Sequence, residues 1–132
     1  MDTQERRNLI KSATNPDIKL DYVISISSHL ITREGYENSV VNLRYVPDKL
    51  IISPESFGYY LKELGMLEWK TLEDVAATIL NDINNELIAR WLQIIISAPE
   101  KIYRDIDFHR VLIEDKQPNW NNAELLSRLK LH

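Results

Sequence analysis

Ser28 and His29 stand side by side, and they are the residue types of a hydroxyl nucleophile and its base. A serine hydroxyl attacks at neutral pH only when a base within hydrogen-bond reach takes its proton. The residues around them alternate apolar with polar, as a strand does, and strand neighbours point to opposite faces. The two are therefore not expected to act as one unit, which leaves His29 as a lone proton carrier. Glu73 opens an apolar-periodic segment, where a carboxylate sits in the favourable field of a helix start. That alone accounts for many such acids. Lys49, Tyr60 and Arg44 supply further polar groups for the rim of a site. His29, His109 and His132 are too scattered to suggest zinc. Gly35, Gly58 and Gly65 are too far apart for a phosphate loop. Trp69, Trp91 and Trp120 read as core or interface anchors rather than stacking platforms.

Positioning these groups falls to a recognisable order of elements. Tyr22, Ile24 and Ile26 alternate with Val23, Ser25 and Ser27, which predicts a strand within 20–30. Val41, Leu43 and Tyr45 against Asn42 and Arg44 predict a second strand over 38–46, antiparallel to the first. Pro47-Asp48 is a turn. Ser53 before Pro54 caps a helix carrying Phe57, Tyr60, Leu61 and Leu64, and Gly65 stops it. Thr71 and Asp74 open a second helix whose apolar stripe runs through Leu72, Val75, Ala76, Ile79, Leu80, Ile83 and Leu87. Residues 91–97, WLQIIIS, are short and β-branched and predict a third strand. Asp105 to Ile113 read as the fourth. Asn121 or Asn122 caps a tail helix with Leu125, Leu126 and Leu129. The order β-β-α-α-β-β predicts an α+β layer, an antiparallel four-stranded sheet with both helices on one face.

The chain has 132 residues, which suits one domain over 1–132 with its core at 20–114, a polar N-terminal arm and a C-terminal tail. Its net charge of -4 disfavours a non-specific nucleic-acid surface. Cysteine is absent, which excludes disulfides, thiolate metal sites and a thiol nucleophile. The first residues lack the apolar run of a signal peptide, and no run approaches a membrane span. A cytoplasmic protein with no membrane partner is the expectation. Val40, Val46, Ile94 and Ile96 would make the sheet's second face too apolar to leave in water, so a homo-oligomer is expected.

The stretch from Tyr45 to Ile83 resembles the NADPH-dependent 7-cyano-7-deazaguanine reductases of queuosine biosynthesis, members of the tunnelling-fold (T-fold) superfamily. Tyr45, Val46, Pro47, Asp48, Lys49, Ile51, Ser56, Tyr60 and Leu61 match that family's first motif, and Glu73, Asp74 and Ile79 its second. The resemblance implies a T-fold. It also implies that Glu73 receives the ring N–H and exocyclic amine of a guanine-like base, one on each oxygen. Lys49 and Tyr60 would join it in substrate binding. Glu37 falls where the family carries its catalytic aspartate. Leu72 replaces the family's histidine, and no cysteine lies near Ser27 to Leu30. Pro99, Glu100, Lys101 and Ile102 stand where the family has Pro-Arg-Gly-Gly-Ile for NADPH.

The expectation is a divergent reductase-like protein that binds a purine-, deazapurine- or pterin-like base at a subunit interface. It uses no cofactor and no metal, and it does not reduce a nitrile. Two alternatives stay open. One is a T-fold enzyme of aldolase, cyclohydrolase or hydrolase-like chemistry in which His29, Glu37 or Lys49 moves protons. The other is a non-catalytic structural subunit that assembles with a catalytic paralogue.

Overall fold

Three segments that alternate and one continuous apolar run at 91–97 build the sheet, and the helix stripe between them covers it. The computed structural model describes residues 1–32, 39–98 and 105–129. Their elements run α1 (Thr3–Asn8), β1 (Ser12–Thr14), β2 (Ile24–Leu30), β3 (Ser39–Val46), β4 (Leu50–Ile52), α2 (Pro54–Leu64), α3 (Leu72–Leu87), β5 (Trp91–Ser97), β6 (Arg110–Lys116) and α4 (Ala123–Ser127). The main sheet is antiparallel throughout, in the order β2-β3-β5-β6. Its registers align Ile26, Leu43, Ile94 and Ile113 in one row and Ser28, Val41, Ile96 and Val111 in the next. These rows share a core with Phe57, Tyr60, Leu61 and Leu64 of α2 and with the predicted stripe of α3. The protein is therefore an α+β layer with its four-stranded sheet packed against two helices.

Several expectations change. Ile94 and Ile96 are fully buried under the helices, so they do not make the second face apolar. That face instead carries the rows Ser25–Arg44–Gln93–Glu114 and Ser27–Asn42–Ile95–Leu112. Leu126 and Leu129 of the tail border a hollow of about 200 Å³ there, beside Arg44, Trp91 and Gln93. The first strand starts at Ile24, and Tyr22 ahead of it donates its hydroxyl to Asn15 Oδ1 at 2.6 Å. The last strand starts at Arg110 rather than Asp105. Ile106 and Phe108 are out of phase with Val111 and Ile113 by one residue, and a one-residue slip reverses every side chain. They are accordingly exposed, at 48% and 60%.

Helix ends follow the local chemistry. Ser53 and Thr71 cap α2 and α3, accepting from Ser56 N at 3.3 Å and Asp74 N at 3.0 Å. Gly65 ends α2 with ordinary right-handed backbone, at φ -64. Its size matters because a Cβ there would lie 2.1 Å from the carbonyl oxygen of Ile31. Ile88 ends α3 in the left-handed region, at φ 48 and ψ 57, where glycine is the usual residue.

The N-terminal segment is more than an arm. β1 pairs with β4, and Ile10 enters the core at 5% exposure. Asp82 lies within the buried stripe of α3 with no exposed surface. It accepts from Arg6 Nε and Arg7 Nε, each at 2.9 Å, and from the Tyr60 hydroxyl at 2.6 Å. Burial raises the Asp82 pKa, but the bonds from Arg6, Tyr60 and Arg7 outweigh it and hold the carboxylate below its ordinary value. Just beyond the C-terminal end of α3, Arg90 donates to Asp21 Oδ1 at 2.9 Å, Ile18 O at 2.6 Å and Leu20 O at 3.1 Å. Gln117 Nε2 donates to Asp48 Oδ2 at 3.0 Å and to Ile88 O at 3.1 Å. Among the described residues no helix is long and apolar enough to cross a membrane.

Asp82→Ala strands two guanidinium groups and a buried phenol. Because Arg6 and Arg7 reach solvent, the loss should fall at the low end for a broken buried pair, about 3 kcal/mol by urea denaturation. A carboxylate held low in the folded state stabilises above the unfolded-state pKa and ceases to as pH falls through the folded one. The parent should therefore lose stability below about pH 4 more steeply than Asp82→Ala does. Ile88→Gly relieves a β-branched residue at positive φ and should raise stability by about 1 kcal/mol, read as a higher Tm.

Candidate functional site

The start of α3 and the lead into β6 meet at a cleft of about 510 Å³ lined by Lys70, Thr71, Leu72, Glu73, Ile106, Phe108 and His109. That volume lies in the range of small-molecule sites. The Thr71 cap fixes where α3 begins, and therefore where Glu73 projects from its first turn. On the other wall, Ala98 N donates to His109 O at 2.9 Å and extends the β5–β6 pairing by one step. Those two anchors bring the side chains together: His109 Nε2 lies 2.9 Å from Glu73 Oε1. An ionised carboxylate only accepts, so Nε2 carries the proton in this contact. Glu73 is 60% exposed and His109 29%. The bond from His109 leads the causes that hold the Glu73 carboxyl below its ordinary value, followed by a bond from Glu73's own backbone.

Phe108 turns a largely exposed ring to the same cleft, and the Arg110 guanidinium lies 4.8 Å from its centroid. This is cation–π distance, with the cation over one face of the ring. Chemically, the cleft offers an acceptor that can receive two donors, an imidazole beside it, an aromatic ring and an aliphatic side chain. A planar ring with adjacent N–H donors fits such a set.

The other sequence-derived candidates lie elsewhere. His29 sits exposed on the edge strand β2 and borders a hollow of about 370 Å³ with Ile31, Gly58, Lys62 and Met66. Its row across the sheet is His29, Val40, Ser97 and Arg110. Three strand spacings, about 14 Å, therefore separate its strand from β6. Ser28 faces the helix side and His29 the opposite one, as alternation requires. Lys49 borders a small hollow with Leu87 and Ile88, at the far end of α3 from Glu73. A helix of 16 residues is about 24 Å long. Tyr60 is fully buried and donates to Asp82, which places it in the core rather than at the cleft. Arg44 donates Nε to Gln93 Oε1 at 2.8 Å on the sheet's second face. Glu37 and the 99–102 segment lie outside the described residues.

The cleft's second wall was not legible as a site. In the sequence His109 is one of three scattered histidines, and Ile106 and Phe108 fall within the segment expected to form the fourth strand. The phase break between Phe108 and Val111 is the signal that sets them apart. Among the described residues no three histidine, aspartate or glutamate side chains are grouped to hold a metal ion. No protein-family model matches the chain, and no curated protein matches it.

Proposed function

We propose that this chain is a T-fold protein that binds a guanine-like, deazapurine or pterin base through Glu73. The observation that carries the proposal is the placement of that carboxylate. It is solvent-accessible, ionised and aimed from a capped helix start into a cleft of about 510 Å³ beside Phe108 and His109. The motif resemblance from Tyr45 to Ile83 and the β-β-α-α-β-β order of the main elements support the superfamily. Nitrile reduction is not part of the proposal, because the chain has no cysteine to form a covalent adduct with a nitrile. The Glu73–His109 contact favours a second reading, acid–base chemistry on the bound ring without a covalent step.

A homo-oligomer belongs to the same proposal, on different grounds from those the sequence offered. The sheet has four strands of alternating direction, so a rotated copy beside β6 presents its β2 antiparallel. Ile106, Phe108 and Leu112 are exposed near the β6 edge, and Ile31 and Met66 near the β2 edge. Joining these edges would bring the His29 hollow of one subunit towards the Glu73 cleft of the next.

Calorimetry with guanine, 7-deazaguanine and pterin tests the ligand. Glu73→Gln turns one acceptor into a donor and should weaken binding by about 1.5–3 kcal/mol, the worth of hydrogen bonds to a charged group. Tm should barely move, since an exposed first-turn acid contributes only about 0.3–1 kcal/mol. A parent protein that binds none of these rings, or a variant that binds equally well, removes the proposal. For the assembly, light scattering at micromolar concentration should show a discrete closed oligomer. A monodisperse monomer would sink it.

A further inference from the structure

We propose that His109 is a positioning residue that holds the Glu73 carboxylate in its ligand-receiving orientation; this rests on the base-binding reading above. An exposed glutamate near a helix start ordinarily samples several rotamers, and ordering it on binding costs affinity. Here Oε1 is tied to His109 Nε2 at 2.9 Å before any ligand arrives. The imidazole is itself placed by the strand ladder, through the Ala98 N to His109 O bond. Its neighbour Phe108 carries the Arg110 guanidinium at 4.8 Å. One short segment therefore sets both the ring of the cleft and the partner of its carboxylate. A carboxylate oxygen has two lone-pair sites, so Oε1 keeps capacity for a ligand N–H while His109 is bound. Oε2 receives the second donor.

His109→Leu and His109→Gln separate positioning from simple surface pairing. Glutamine can place an amide N–H near the position of Nε2, and leucine fills space without a donor. In the ligand-free protein, the carboxyl titration of Glu73 followed by NMR should rise towards the ordinary glutamate value in His109→Leu and stay low in His109→Gln. The affinity for 7-deazaguanine should fall roughly 3- to 10-fold in His109→Leu, the cost of ordering one long side chain. In His109→Gln it should return to near the parent value. A Glu73 titration unchanged by His109→Leu overturns the inference. So does a changed titration with undiminished affinity, since orientation then contributes nothing to binding. If the parent binds no such ring, the base-binding reading fails by itself. The titration then decides alone whether His109 holds the carboxylate.

Discussion

A carboxylate with no exposed surface, Asp82, is the constraint on which the helical layer depends. An ionised group in that position is tolerable only if its oxygens are filled by donors, and two other helices supply them. Arg6 and Arg7 come from α1, Tyr60 from α2, and Asp82 itself from α3. The requirement makes an otherwise polar N-terminal segment part of the fold. It also fixes how α2 and α3 sit against each other, since the Tyr60 hydroxyl must meet the carboxylate at the depth of the core. Burial raises the pKa of that phenol, and its bond to Asp82 and that group's charge raise it further, so it remains a donor. Tyr45 is also a buried phenol, pushed up to about 12 mainly by burial. It accepts from Ile52 N at 2.9 Å and so ties β3 to the start of the helical layer.

The C-terminal end of α3, beyond Asp82, is held by different chemistry. The Arg90 guanidinium collects two carbonyls and the Asp21 carboxylate, while Asp48 receives Gln117. Trp120 and Asn122 add two more donors to Asp21, at 3.2 Å and 3.0 Å. These bonds stitch the N-terminal loop, the Pro47-Asp48 turn, the α3–β5 connection and the C-terminal tail into one corner. The aspartate of the Tyr45–Lys49 motif thus has a structural task in this chain. Lys49 beside it is exposed and remote from the cleft.

The first turn of α3 carries Glu73, placed there by the Thr71 cap. The functional contrast between the two acids of this helix is one of environment. Asp82 is saturated by protein donors and has nothing left to offer a ligand. Glu73 is bonded to His109 and to its own backbone, is largely exposed, and faces a cleft whose opposite wall bears exposed aromatic and aliphatic groups. Exposed apolar residues beside an oriented polar group are what a binding surface requires and a folding core does not.

The sequence by itself determined the main strands, both long helices and the buried face of each helix. Period-two alternation placed Val41, Leu43 and Tyr45 on the helix side. The Ser53-Pro54 and Thr71 signals placed both helix starts, and the stripe from Leu72 to Leu87 named the buried face of α3. Glu73 was legible because a cap fixes which residue follows it. Tertiary structure decided which distant groups meet. Local periodicity carries no information on whether a polar residue in an apolar stripe finds a partner, so Asp82 and its arginines were invisible together. The same limit hid the pairing of β1 with β4, the turning of Ile94 and Ile96 under the helices, and the meeting of His109 with Glu73 across 36 residues of chain. Those contacts depend on strand register and helix docking, which only the assembled sheet sets.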